Sequence, residues 1–403
     1  MDDLENELFR GLESILHEGV GADPAGPTRL TQQQRTMASL KLKDGGLAFG
    51  GLRSRSAPAF LASWAPALRH VVQTVGVGTL EGFRTRCPTV TSSMSQAEAE
   101  LTQAGGNGGE PVDWFGYLCE PGAKRQSIWG MELSAQKLTQ VRSTLVGNGA
   151  IAHRGCGGIG AGSWLLATTE DMRAMPDAHF LIVLRRRLLM PICQPGATCH
   201  HRRPNGVLCG APLDPWGEHA LLCAIGGARD KLHNDLRDWA ARTYTDCTGI
   251  VANIEQHVPQ WDIVDQSSGE VEEAILDVAT FNPHTGGLLY IDTTVTCELS
   301  TNANIRRARA ARDGVAVANA TAEKHRRYPP TPGLTLVAAA FEAGGRPGQE
   351  TVALVRQCGA AWGEARATDP DDPIVPATAR LWQECATILQ LGNAERLLSA
   401  VGW

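Results

Sequence analysis

No apolar run in this sequence approaches the ~18–20 residues of a membrane-spanning helix. The longest is a handful of residues around 180–184, so no membrane-embedded segment is expected. The N-terminus, Met1-Asp2-Asp3-Leu4-Glu5, is acidic where a secretory signal would be basic and then apolar, so a soluble, intracellular protein is expected. An excess of base is also missing. Lys and Arg number 37 against 43 acids, for a net charge of −6, which excludes a uniformly basic nucleic-acid coat but not local patches. Aromatic residues are scarce at 5%, yet the 43% hydrophobic and 20% charged fractions suffice for packed cores and rule out global disorder. Cysteine is the residue the chain does not lack. It has eleven, and Cys193, Cys199, Cys209 and Cys223 fall within 31 residues. In a reducing compartment such a cluster reads as metal binding before disulfides.

At 403 residues the chain exceeds a single core, which rarely grows beyond ~250–300 residues, and two or three units are expected. Leu4, Leu8, Leu12 and Leu16 recur every fourth residue and predict an amphipathic helix. A Gly/Pro break follows at 21–27. Residues 85–126, rich in Gly, Ser and Thr, predict a loop or insertion, and helical spacing returns at 126–145 and 177–189. The texture changes at Pro191, where a segment rich in Cys, His, Gly and Pro runs to 227. A helix is expected at 229–246, strands at 274–280, 288–296 and 334–341, one long Ala/Arg helix at 303–327, and helices at 349–363 and 377–398. The expected fold is mixed α+β: an all-α region (1–190), a small zinc knuckle (191–227), an α/β domain with a mixed sheet flanked by helices (228–360), and a helical extension (361–403).

Cys199, Cys209, His219 and Cys223 form a Cys-x9-Cys-x9-His-x3-Cys set. Three thiolates and an imidazole complete a closed tetrahedral zinc shell, which is structural rather than catalytic. The segment has too few apolar residues for a core, so ligation would replace one. Cys193, His200 and His201 are rival ligands, and unrelated free cysteines are the bland alternative.

Asp277 and Asp292 each interrupt an apolar strand pattern, where an ionised carboxylate is costly unless paired or bound to a cation. Two such groups on neighbouring strands make a hard-oxygen site suited to Mg²⁺, which could activate water for phosphodiester hydrolysis. Lys324 and Arg327 share one helix face and could meet the charge developing on phosphorus. Glu342, ending the third strand, is a further candidate ligand. Strand ends and a helix terminus simply exposed to water are the competing reading. Between Arg306 and Arg327 seven bases outnumber two acids, a local +5. Arg306, Arg307, Arg309 and Arg312 thus form a candidate polyanion-facing surface.

The run from Cys209 to Cys223, followed by His233-Asn234, resembles the tail of non-LTR retrotransposon polyproteins, in which a zinc knuckle and a restriction-enzyme-like endonuclease follow the reverse transcriptase. The resemblance continues through Glu273-Ala274-Ile275-Leu276-Asp277-Val278, Ile291-Asp292-Thr293-Thr294-Val295-Thr296, Lys324-His325-Arg326-Arg327-Tyr328 and Phe341-Glu342-Ala343-Gly344-Gly345-Arg346. Upstream, Gly50-Gly51-Leu52-Arg53-Ser54 and the segment from Ala59 to Trp64 look like the region just after the polymerase. The resemblance implies a PD-(D/E)XK-type nuclease. Its two acids map onto Asp277 and Asp292, its displaced lysine onto Lys324 with Arg327 and Tyr328, and a nucleic-acid contact onto His233. Thr294 stands at the place usually held by lysine, which this family displaces to the following helix. The sequence departs from the family's pattern in two places: Leu232 and Ile275 stand where arginine is common. No paired-aspartate polymerase hairpin is visible, so polymerisation is not expected.

The expected function is therefore Mg²⁺-dependent nicking of DNA in support of target-primed reverse transcription. Zn²⁺ would be structural, and the location nuclear. The expected partners are target DNA, element RNA and a polymerase-bearing chain of the same element. The alternatives are a nucleic-acid-binding remnant without cleavage and a decayed, inactive copy.

Overall fold

A computed structural model describes residues 2–18, 29–76, 79–113, 125–167, 175–265, 267–283, 285–366 and 377–402. The expected break at 21–27 and part of the expected 85–126 loop lie outside them. Among the described residues no helix is long and apolar enough to cross a membrane. The fold mixes helices with a small four-stranded mixed sheet.

Contacts divide the chain into two units: residues 1–12, 30–41 and 48–144, and residues 13–29, 42–47 and 145–403. This partition differs from the four segments expected from composition, because 145–190 and the C-terminal helix both pack within the second unit.

The helices in chain order begin with α1 (Asp2–Glu18), α2 (Gln32–Ser39), α3 (Leu52–Thr74), α4 (Leu80–Arg86), α5 (Pro88–Gln103) and α6 (Arg125–Thr144). Thr31 and Gln34 close a reciprocal capping box at the start of α2, satisfying amides that helix geometry leaves open. The first unit's core gathers Leu61, Leu68, Phe83, Met94, Leu101, Trp129 and Leu133. Helix α5 thus corrects the expected loop at 85–126. Met94, Ala97 and Leu101 recur at helical spacing and are buried, and this stripe outweighs the Ser/Thr-rich composition around it.

The second unit continues with α7 (Gly147–Gly155), α8 (Asp177–Arg187), α9 (Glu218–Leu222) and α10 (Ala228–Thr248). Strands β1 (Asn253–His257), β2 (Ile263–Val264), β3 (Val271–Glu272), β4 (Ile275–Phe281) and β5 (Leu288–Thr296) follow. Helices α11 (Ala303–Ala311) and α12 (Val315–Arg327) lead to β6 (Leu334–Glu342), and α13 (Gln349–Arg366) and α14 (Ala377–Val401) complete it. The sheet runs β1-β4-β5-β6, antiparallel except for the parallel β5–β6 pair, whose crossover is α11–α12.

The long helix expected at 303–327 is two helices. Gly314, at φ 71°, adopts the left-handed conformation that L side chains avoid and restarts the chain as α12. Edge strand β1 was not expected from the sequence. All five of its residues are exposed, so it lacks the alternation that signals a strand.

Helices α10, α13 and α14 bury Leu236, Trp239, Tyr244, Leu354, Leu381 and Leu389 with Val278, Ile291 and Phe341 of the sheet. The expected C-terminal extension is therefore part of this core. A second cluster gathers Val258, Trp261, Ala274, Leu276 and Tyr290. Gly344, in the Gly-Gly pair after β6, has to lack a side chain: a Cβ there would meet the Gly155 backbone at 2.5 Å.

Candidate active site and metal centre

The register Val278↔Ile291 sets Asp277 and Asp292 side by side on β4 and β5. Both are buried, at 8% and 3% exposure. Thr293 donates its amide and its hydroxyl to Asp277 Oδ2, each at 2.6 Å, and His233 Nε2 on α10 lies 3.0 Å from Asp277 Oδ1. Burial alone would raise the Asp277 pKa, but His233 and Thr293 outweigh it and hold the carboxyl below its ordinary value. Bonding to Asp277 correspondingly raises His233.

Asp292 behaves in the opposite way. Burial and the neighbouring Asp277 charge push its carboxyl up, and Lys324 only partly opposes them. Helix α12 packs on β5 and β6 and brings the Lys324 ammonium to 2.7 Å from Asp292 Oδ2. The contact is a close ion pair at Asp292 Oδ2. Burial would lower Lys324, but Asp292 more than compensates and its pKa is raised.

Four expected residues, Asp277, Asp292, Lys324 and His233, are thus brought together. Glu342 is not. Asp292 pairs with Ala338, and Glu342 pairs with Thr296 four positions further along, ~13 Å away at the rise of a strand. Its Oε1 accepts the Val317 amide at 3.2 Å and its Oε2 lies 3.8 Å from Arg346. Nearby, the buried Glu298 pairs with Arg186, which also donates to the Trp216 carbonyl. Thr293, the double donor to Asp277, was missed from the sequence. Its signal was a polar side chain within a buried strand, next to an acid.

The basic surface divides by role. Arg306, Arg307 and Arg312 are exposed. Arg309 instead donates to the carbonyls of Cys297, Glu298 and Leu299 at 2.9–3.0 Å, which ties α11 to the end of β5. Arg327 donates to the Trp261 carbonyl at 2.6 Å, pairs with Glu272 and stacks over Tyr328. Leu232, where an arginine was noted as common, is buried in the core, and Gly392 on α14 leaves room for it.

Cys199, Cys209, His219 and Cys223 present ligand atoms that all lie within 4.8 Å of one another, a group that could hold a metal ion. Cys209 Sγ is 3.3 Å from His219 Nε2 and 3.8 Å from Cys223 Sγ. The backbone amide of Ala211 holds the Cys209 thiol below its ordinary pKa. The rivals are placed elsewhere. Cys193 Sγ points to the Asp214 carbonyl, and buried His201 Nε2 meets the Arg396 carbonyl at 2.9 Å. The His200 amide donates to the Ala400 carbonyl, and Arg396 donates to the Leu221 carbonyl. The segment around the cysteines thus packs on α14 and satisfies the Ala400 carbonyl in its last turn, which would otherwise lack an intrahelical partner. No protein-family model matches this chain, and no curated protein matches it.

Proposed function

We propose that the second unit is a divalent-metal-dependent DNA endonuclease of the PD-(D/E)XK type that nicks target DNA. The observation carrying this reading is the convergence of Asp277 and Asp292 with the Lys324 ammonium. The donor set suits a hard cation such as Mg²⁺: two buried carboxylates side by side on neighbouring strands. Asp277 and Asp292 would hold the ion, which when bound supplies Lewis-acid polarisation and a more acidic water. His233 and Thr293 keep Asp277 ionised and oriented. Lys324 meets negative charge developing on the phosphoryl oxygens. Glu342 has no part in this proposal.

The Cys₃His group suits structural Zn²⁺. A tetrahedral shell with Zn–S near 2.3 Å sets sulfurs ~3.8 Å apart, and Cys209 and Cys223 are 3.8 Å apart. Exposed Arg306, Arg307 and Arg312 would contact DNA phosphates. Element RNA, a polymerase-bearing partner chain and a nuclear location belong to the same proposal.

The deciding experiment is nicking of supercoiled plasmid with Mg²⁺ by the full chain and by Asp292→Ala. Nicking by the parent alone supports the reading. Equal nicking by both places the activity elsewhere. Binding without nicking gives the case to a non-catalytic nucleic-acid-binding protein, which the buried Leu232 at the usual arginine position favours.

A further inference from the structure

Lys324 reaches Asp292 from the last turn of α12. An ammonium on a flexible four-carbon stem is only as well placed as the backbone that carries it. The buried residues of α12, Ala316 and Val317, lie at its opposite end, so the last turn is anchored mainly by polar contacts. Two of these flank Lys324. On a helix of about 100° per residue, Arg327 projects about 60° to one side of Lys324 and His325 about 100° to the other. Arg327 donates to the Trp261 carbonyl at 2.6 Å. On the opposite side, His325 Nε2 lies 2.6 Å from Glu350 Oε1.

Glu350 stands in the first turn of α13, where the helix dipole favours a carboxylate. Its second oxygen accepts the Ala338 amide at 2.7 Å. Ala338 is the residue of β6 that pairs with Asp292, and β6 ends the sheet, so this amide has no further strand to bond. Glu350 therefore takes its position from the sheet at the level of Asp292 and passes it to the turn that carries Lys324. The contacts close a ring: Asp292 to Lys324, along the chain to His325, across to Glu350, and back through Ala338 to Asp292. Such a ring fixes the roll of α12, which a single line of contacts would leave free.

We infer that His325 and Glu350 are positioning residues that hold Lys324 against Asp292 for phosphodiester cleavage. Their part in cleavage rests on the nuclease reading.

The test has two readouts on the full chain. The first is single-turnover nicking of supercoiled plasmid with Mg²⁺. His325→Ala keeps the Glu350 bond to the sheet and should slow nicking about tenfold or more, the scale of one hydrogen bond to a charged group, with DNA affinity unchanged. Glu350→Ala should slow it at least as much. His325→Gln, whose side-chain amide can donate to Glu350, should recover part of the loss. In a Lys324→Met background, His325→Ala should cost nothing more, because no ammonium is left to position. A loss that persists in that background, or unchanged rates in both alanine variants of a parent that nicks, overturns the inference and leaves the nuclease reading standing. The second readout needs no cleavage: reductive methylation by formaldehyde and cyanoborohydride, followed at each lysine by mass spectrometry. His325→Ala should speed labelling of half-buried Lys324 and leave exposed Lys231 unchanged. Unchanged labelling of Lys324, or equal acceleration at Lys231, overturns the inference. If the parent never nicks but Lys324 alone labels faster in His325→Ala, the nuclease reading falls and the positioning of Lys324 stands.

Discussion

Lys324 reaches Asp292 across the chain, its ammonium 2.7 Å from Oδ2, while Thr293, the very next residue, spends both donors on Asp277 instead. The two carboxylates thus have separate keepers. Asp277 is held below its ordinary pKa by hydrogen bonds from Thr293 and His233, and Asp292 depends on a cation delivered by α12.

Replacing that cation separates charge stabilisation from binding. Lys324→Met should slow single-turnover nicking by about 10²–10³-fold, the scale seen when one donor to a developing oxyanion is removed. DNA affinity, read by anisotropy, should change far less. Lys324→Arg should recover part of the loss. Equal losses of rate and affinity would make Lys324 a phosphate contact only.

Metal content should follow the four ligands and ignore their neighbours. Purified parent should carry about one Zn²⁺ per chain, and Cys209→Ser or His219→Ala should carry little or none. Cys193→Ser should retain it, because that thiol faces the Asp214 carbonyl. Elemental analysis reads this directly, and full occupancy in a His219→Ala, Cys223→Ala double variant would refute the assignment.

Glu342 should make stability depend on pH. Burial, with Glu298 adding its repulsion, pushes its carboxyl from 4.5 up to about 7. An acid whose pKa is raised on folding contributes stability fully below its unfolded value and loses it as pH rises through the folded value. Glu342→Gln keeps an acceptor for the Val317 amide and removes the titration. It should match the parent near pH 4.5 and be more stable above pH 7, by up to about 3 kcal/mol at 1.36 kcal/mol per unit. Urea denaturation at the two pH values measures the difference.

The arginines of α11 should split into two phenotypes. Arg306→Gln with Arg307→Gln should weaken DNA binding and flatten its salt dependence, with thermal stability nearly unchanged. Arg309→Gln should instead destabilise the fold by about 1.5–3 kcal/mol, because three carbonyls lose a charged donor. Melting curves and salt titrations of both variants check the division.

The parts legible in the sequence were those set by local pattern. The apolar runs around Asp277 and Asp292 gave β4 and β5 nearly to the residue, and Cys/His spacing gave the four side chains that the fold gathers. What could not be read depends on partners far along the chain. The place of Glu342 follows from the β5–β6 register, which nothing near Glu342 encodes. Arg309 and Arg327 look like free base in the sequence because the carbonyls they bind belong to other elements. Helix α14 resembled an appendage because its apolar residues surround it rather than forming one stripe, a pattern that marks a helix enclosed on all sides. The split at Gly314 had a signal, an Asp-Gly pair inside an alanine-rich run, which the strong helical propensity around it masked.

The parallel pairing of β5 with β6 has a kinetic consequence. Strands β4 and β5 meet across a short turn, so the hairpin bearing both carboxylates closes at little entropic cost. Strand β6 is linked to β5 only through the crossover of α11 and α12, and α12 carries Lys324. Non-local pairing of this kind is slow compared with hairpin closure. Refolding should therefore pass through a stage in which Asp277 and Asp292 adjoin without their lysine, and activity should return later than the β4–β5 hairpin.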